Sequence, residues 1–340
     1  MRSKLSHQLL PSLSLLRKQP FTSTTFSLLR NMSTQPELKP ISPSTTRIGW
    51  IGTGVMGVSM CSHILKAGYT VTVFNRTQSK AQPLLTLGAH LADSPVAVAR
   101  RSDVVFTILG FPSDVASVVV GNLIPNLSPG SVVVDMTTSD PSLAVEIAEK
   151  SAANGVSAVD APVSGGDAGA RAGKLSIFAG GDKPVISSLA PLLSLMGTTY
   201  HMGGPGSGQH AKLGNQVTIA STMVGLVEGM VYAHKAGLNL GLFLEAISKG
   251  AAGSRSLELY GGRILSRNFE PGFYVDHFVK DLGICLRECE RMGICLPGLG
   301  LAHQLYLSLK AHGEGRFGTQ ALVLALERLN NVSLESSSRV

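Results

Sequence analysis

The run Gly49-Trp50-Ile51-Gly52-Thr53-Gly54-Val55-Met56-Gly57 constrains the chain more than any other segment. Gly52, Gly54 and Gly57 stand in G-x-G-x-x-G spacing. They follow the apolar stretch Arg47–Ile51 and precede a helical pattern over Val55–Ala67, stopped by Gly68 before a second strand-like run, Tyr69–Phe74. In that strand–turn–helix–strand setting each glycine has a task. Gly52 permits the tight turn, Gly54 lets backbone approach an anion, and Gly57 lets the helix pack close to the sheet. Free N–H groups and the macrodipole at the helix start then favour a pyrophosphate. The pattern predicts a dinucleotide site built from Gly52, Thr53, Gly54, Val55, Met56 and Gly57. The competing reading is a purely structural glycine turn.

The rest of the chain has to complete that unit. Asp103–Leu109, Ser131–Val134 and Val156–Asp160 read as further strands, with shorter candidates at Ser176–Ala179 and Thr199–His201. Strands alternating with helical patterns predict an α/β fold, a Rossmann-type doubly wound, mainly parallel sheet. After about Pro205 no strand pattern appears. Helices are predicted over Gln209–Ala233, Leu240–Lys249, Tyr274–Arg291 (which contains Gly283), Leu299–His312 and Thr319–Leu329. The expected organisation is a transit peptide and linker over 1–46, a dinucleotide-binding domain over 47–207, an all-α substrate and dimerisation domain over 208–331, and a tail over 332–340.

Net charge is +7 over 340 residues, which at first suggests a nucleic-acid partner. Its distribution argues otherwise. Residues 1–46 carry six Lys or Arg and one acid, Glu37, whereas the remainder carries 23 basic and 21 acidic side chains. The segment Met1–Pro36 has no Asp or Glu and intersperses arginine and lysine with Ser, Thr and Leu. That composition predicts an organellar transit peptide, mitochondrial matrix before plastid, with a merely disordered N-terminus as the alternative. No nucleic-acid partner is expected. Nor is a membrane span, because the most apolar long segment, Val217–Ala233, is interrupted by Thr218, Ser221, Thr222 and Glu228. Cys285 and Cys289 lie four apart, but no CxxC or His pair completes a metal site, so no metal is expected.

The residues after the second strand bear on the choice of cofactor. An NAD site usually carries Asp or Glu there to accept from the ribose hydroxyls. This chain carries Asn75-Arg76-Thr77 instead. Arg76 can pair with a 2′-phosphate, with Asn75 and Thr77 as donors, which favours NADP over NAD. The alternative is that Arg76 stacks on adenine or is solvated while NAD binds.

Three later clusters place hydroxyls, glycines and amides where loops leave strands. They are Asp135–Pro141, Asp160-Ala161-Pro162-Val163-Ser164-Gly165-Gly166, and the stretch from Gly206 to Gln216 that includes Gly206-x-Gly208-x-x-x-Lys212. With a later Lys280-Asp281, this combination resembles the β-hydroxyacid dehydrogenases, over about Arg47–Asn331. The resemblance implies Lys212 as the catalytic lysine, Ser164, Gly165 and Gly166 as the loop that receives a substrate carboxylate, and Thr138 near both substrate and nicotinamide. It implies Leu109, Gly110 and Asp114 beside the adenosine, and Lys280 closing over the cofactor. It implies a homodimer or homotetramer acting on a small carboxylic acid. The substrate most in keeping is 3-hydroxyisobutyrate, with a glyoxylate or succinic semialdehyde reductase as the alternative and a non-catalytic interaction protein as a remote one.

Two residues depart from the family pattern. Many relatives have Asn four residues after the lysine, where this chain has Gln216, with Asn215 at three. On a helix both neighbour Lys212 and could reach the substrate. The second departure is the missing acid after the second strand. For Lys212 to act near neutrality its amine has to fall well below the ordinary ~10.4. Burial, and a helix starting near Lys212, would both push that way. His210, two residues earlier, should face elsewhere, and His201 and His277 read as packing or surface residues.

Overall fold

The structure is a computed structural model and describes residues 40–334. The predicted leader up to residue 39 and the last six residues of the predicted tail lie outside the described residues.

Nine strands form one sheet: β1 (Arg47–Ile51), β2 (Thr70–Phe74), β3 (His90–Leu91), β4 (Val104–Thr107), β5 (Val132–Asp135), β6 (Ser157–Asp160), β7 (Val163–Ser164), β8 (Leu175–Gly180) and β9 (Gly197–Gly203). The order is β3-β2-β1-β4-β5-β6-β8-β7, with β9 also paired to β8. Pairings from β3 through β6 are parallel. β8 runs antiparallel to β6 and β7 and parallel to β9. This is a Rossmann-type sheet, mainly parallel. The central strands β4 and β5 are buried along their whole length, as sheets covered on both faces require. Alternate residues feed the two faces. Trp50 and Phe106 stack at 5.3 Å in one core, while Ile51, Val105 and Val133 enter the other.

The order reverses direction at β1 and β4, so the carboxyl ends of these two strands frame a crevice. Helix Val55–Lys66 starts at that edge. From Ser207 onward the described chain is helical: Ser207–Lys235, Leu240–Ser248, Arg255–Leu265, Val275–Met292, Pro297–Ala311 and Leu322–Asn330. Their core gathers around the long first helix, with Met223, Val227 and Met230 packed among Phe278, Tyr306 and Leu322. Among the described residues no helix is long and apolar enough to cross a membrane.

Several elements differ from the sequence reading. β3 and β7 are two residues each, too short to leave a periodic signal. Helix Arg255–Leu265 contains Gly261 and Gly262, which masked it, although Ser254 caps its start by accepting from Leu257 N. The long helix begins at Ser207, two residues earlier than expected, and runs on to Lys235. Residues 40–46 do not behave as a free linker. Thr46 N donates to Ser42 O, and Ile41 packs on the first core. Leu334 is buried and its N–H donates to Glu327, so order reaches into the predicted tail.

One close approach positions everything that follows. The end of β8 and the start of the long helix meet at Gly180 and Gly208. A Cβ at Gly208 would stand 2.3 Å from the Phe178 carbonyl oxygen, and one at Gly180 would stand 2.5 Å from Asp160 Oδ1. Gly214, on the same helix, has open space instead. Gly208→Ala is expected to cost roughly 1–3 kcal/mol or more by overpacking. Gly214→Ala is expected to be neutral or to stabilise by up to about 1 kcal/mol through helix propensity. Thermal denaturation of the pair checks this; equal midpoints would remove the steric account.

Candidate active site

The glycine turn has the shape its spacing implies. Gly52 has φ +98°, and a Cβ there would lie 2.1 Å from the Ile108 carbonyl oxygen. A Cβ on Gly57 would lie 2.0 Å from the Gly52 oxygen. A Cβ on Gly54, by contrast, meets nothing within 4 Å. Two glycines are therefore needed for packing and the third opens on free space at the helix N-terminus, with Val55 exposed beside it. That is the cradle a pyrophosphate needs, so the residues present fit a dinucleotide. Thr53 and Met56 hold the turn from below: Thr53 is buried, its N–H donating to Asn75 Oδ1 at 2.9 Å, and Met56 packs on the core.

The Asn75 amide is thus partly used inside the protein, since its Nδ2 also donates to Thr77 O. The Arg76 side chain is 89% exposed and pairs with Asp114 at 3.5 Å. Leu109 and Gly110 follow β4 at the same edge, and Leu109 N donates to Thr137 Oγ1. Gly110 lies close to Asp114, whose Oδ2 would be 3.4 Å from an added Cβ.

Two buried carboxylates tie the loops at this edge. Asp135, ending β5, accepts from Thr107 Oγ1 at 2.8 Å and from Thr137 N at 3.1 Å. Asp160, ending β6, accepts from Gly206 N and Gln209 N, both at 2.8 Å. Gln209, wholly buried, accepts from Ser139 N and donates to Thr137 O. Burial pushes both carboxyls up to about 6, against the opposing pull of those donors. Neither acid nor Gln209 was singled out from sequence. Asp160 stood in a quoted motif, but nothing local marks Gln209 as buried.

The long helix carries the next layer. Lys212, Asn215 and Gln216 share a face three and four residues apart. Lys212 is 8% exposed, and burial is the main cause that lowers its amine to about 8. Lys280 lowers it further, while Asp281 and Cys285 oppose. The helix starts at Ser207, and dipole effects fade within the first turn. Of the two causes anticipated from sequence, desolvation thus acts and the helix end does not. Ser164 Oγ donates to Asn215 Oδ1 at 3.3 Å. Gly165 and Gly166 follow with φ +134° and +64°, exposed beside it. Lys280 Nζ reaches across to donate to Thr138 O at 2.6 Å. Gln216 differs from expectation. Both ends of its amide are taken by protein, with Nε2 on Asp281 Oδ2 at 2.6 Å and Oε1 on Asn215 Nδ2 at 2.9 Å. His210 is exposed. His277 instead joins an aromatic cluster, edge-on to Phe111, Tyr274 and, tilted, Phe273. Among the described residues no three His, Cys, Asp or Glu side chains converge as a metal site.

Known proteins share this plan. Residues 47–204 match the NAD-binding domain of 6-phosphogluconate dehydrogenase, and residues 206–326 match the NAD-binding domain of NADP-dependent 3-hydroxyisobutyrate dehydrogenase. A protein of Arabidopsis thaliana named "Probable 3-hydroxyisobutyrate dehydrogenase-like 1, mitochondrial" is 64% identical over 95% of this chain and 98% of its own. A chloroplastic glyoxylate/succinic semialdehyde reductase 2 of the same plant is 32% identical over 87% of this chain and 82% of its own. The solved structure of Mycobacterium tuberculosis 3-hydroxyisobutyrate dehydrogenase with L-serine superposes with a TM-score of 0.75 at 26% identity, covering 83% of this chain and 99% of the other.

The buried acids make stability depend on pH. Asp135 and Asp160 hold their protons more tightly folded than unfolded, where an Asp titrates near 3.8. Their contribution to stability is complete below about pH 4 and is lost as pH rises through about 6. In Asp160→Asn this decline becomes shallower. At pH 4, where the acid is itself protonated, the variant is weaker by roughly 1–3 kcal/mol, because the Asn NH2 meets an amide donor where the acid offers a hydroxyl oxygen. Urea denaturation between pH 4 and 7 checks both effects; an unaltered slope would count against the linkage.

Proposed function

The chain belongs to the β-hydroxyacid dehydrogenase family of NAD(P)-dependent oxidoreductases, and we propose that it oxidises a small 3-hydroxy acid, 3-hydroxyisobutyrate first among them, with Lys212 as general acid and base. The observation that carries this reading is the position of Lys212. It is buried at the meeting of the two halves, its amine drawn down to about 8, one helical turn from the Asn215 that holds Ser164. An amine in that range exchanges protons efficiently near neutral pH.

A bound dinucleotide would supply hydride transfer to or from the alcohol carbon. Gly52, Thr53, Gly54, Val55, Met56 and Gly57 would hold it at its pyrophosphate, Leu109, Gly110 and Asp114 would serve its adenosine side, and Lys280 and Thr138 its nicotinamide side. Arg76, with Asn75 and Thr77, selects NADP over NAD. Support for that choice is the exposed guanidinium after β2 and the absence of an acid in Asn75-Arg76-Thr77. The amides of Gly165 and Gly166 and the Ser164 hydroxyl receive the substrate carboxylate, which sets the distance to the reacting carbon. In oxidation Lys212 accepts the hydroxyl proton; in reduction it donates a proton to the aldehyde oxygen.

A second reading is an NADPH-dependent glyoxylate or succinic semialdehyde reductase, favoured by the same missing acid and by the chloroplastic reductase relative. The acid-free segment Met1–Pro36 and the mitochondrial relatives support a matrix enzyme, with residues 47–207 and 208–331 as its two domains and a homodimer or homotetramer as its assembly.

Turnover of 3-hydroxyisobutyrate, glyoxylate and succinic semialdehyde, each with both cofactors, tests substrate and cofactor together. NADP is expected to give the higher kcat/KM, and Arg76→Ala to erode that preference by about tenfold to a hundredfold, the worth of a charged hydrogen bond. For Lys212→Ala a loss of about 10²–10⁴-fold in kcat is expected. In the intact enzyme kcat/KM for oxidation should rise with pH to a plateau above about 8, and for reduction fall above it. Near-normal turnover of Lys212→Ala would exclude the lysine as acid and base.

A further inference from the structure

Two buried side chains beside Lys212 have no part in the reaction as described. Gln216 and Asp281 are each 1% exposed and lie 65 residues apart in the chain, yet they meet at 2.6 Å. Their bond begins a series with only one consistent direction. A carboxylate accepts and does not donate. Gln216 therefore turns its NH2 to Asp281 Oδ2, leaving its oxygen for Asn215. Asn215 must then donate through Nδ2, which leaves its own oxygen to accept from the Ser164 hydroxyl. The other carboxylate oxygen, Oδ1, has the Lys280 ammonium 2.8 Å away but no donor aligned with it. Lys280 in turn donates to Thr138 O. The series runs from the end of β7, through the helical half, to the loop after β5.

We propose that Gln216 is a positioning residue for the reaction: one buried amide occupies an oxygen of Asp281 and so aims the anion that acts on Lys212. The proposal deepens the reading of Lys212 as acid and base and rests on it. The groups that act on Lys212 are Asp281, Lys280 and Cys285, all on helix Val275–Met292. Asp281 also acts on His277 and Cys285 from the same helix, and Lys280 also acts on Asp135 from β5. Among these Asp281 is the largest influence keeping a proton on Lys212. The Gln216 amide screens one of its oxygens. Without that amide, Oδ2 is left bare in a low-dielectric site and its hold on the Lys212 proton grows.

Gln216→Met keeps length and volume and removes both hydrogen bonds. Titration of ¹³C-labelled lysine side chains by NMR in the cofactor-free protein, with Lys212→Ala to assign the resonance, reads the amine directly. The midpoint of Lys212 is expected to move up by roughly one pH unit in Gln216→Met. The pH break in kcat/KM for oxidation should move with it, and activity at neutral pH should fall about tenfold. In an Asp281→Asn background the same change at 216 should produce no shift. If Gln216→Met does not fold, Gln216→Asn serves, since its amide is one methylene too short to reach Asp281, and the same shift is expected. An unmoved midpoint, or an equal shift in the Asp281→Asn background, would overturn the proposal. Failure of the acid–base reading looks different: Lys212→Ala would then keep its turnover and its pH break, whatever the NMR midpoint does at 216.

Discussion

The joint between the Asp160 carboxylate and the N–H groups of Gly206 and Gln209 is the contact on which the site depends. It fastens the first turn of the long helix to the carboxyl end of β6. That edge is where a doubly wound sheet opens to ligands. Burying the carboxylate costs free energy, and the two amide donors offset part of that cost. Gly180 and Gly208 lack side chains where the helix start and the strand ends touch. With the first turn pinned there, Lys212 falls at the junction of the two halves, and its burial follows from the path of the helix. Gln209 adds a second fastening, through Ser139 N and Thr137 O, to the loop that carries Thr138.

Helix Val275–Met292 closes the junction from the other side. Its outward stripe meets the sheet half at four points. His277 is edge-on to Phe111, Lys280 reaches Thr138 O, Arg287 pairs with Asp140 at 3.2 Å, and Arg291 donates to Ser142 Oγ at 3.0 Å. The exposed pairs among these are worth little, about 0–1 kcal/mol each. The contact of Gln216 with Asp281 is buried and that of Lys280 with Thr138 partly so; water competes less there, and these contacts therefore set the alignment. Cys285 and Cys289 fill the inner face of this helix as buried thiols, with burial raising Cys285 to about 12.

Much of the fold was legible because it rests on local patterns. The turn at Gly52, Gly54 and Gly57, the Val-rich β4 and β5, and the long apolar helix each carry their period or their glycine spacing in consecutive residues. Elements without such a period escaped notice. β3 and β7 are two residues long, and helix Arg255–Leu265 hides behind Gly261 and Gly262 although Ser254 caps it. At the site, Lys212, Ser164 and Lys280 were visible as residue types in motifs. Their partners were not, because nothing local tells a buried Gln209 from a solvated one.

By itself the sequence determined the architecture and the chemical groups on offer: a glycine turn for an anion, a lysine on a helix, a hydroxyl and two glycines beyond a strand, and no acid after β2. Tertiary structure decided how those groups are used. Gln216 was expected at the substrate, but its amide is held by Asp281 and Asn215. The Lys212 amine was expected to owe its shift partly to a helix end, but it owes it chiefly to burial. The reason is physical. Helix and strand periods are set by covalent neighbours, whereas desolvation and the direction of a buried hydrogen bond depend on groups 65 to 142 residues away, which only folding brings together.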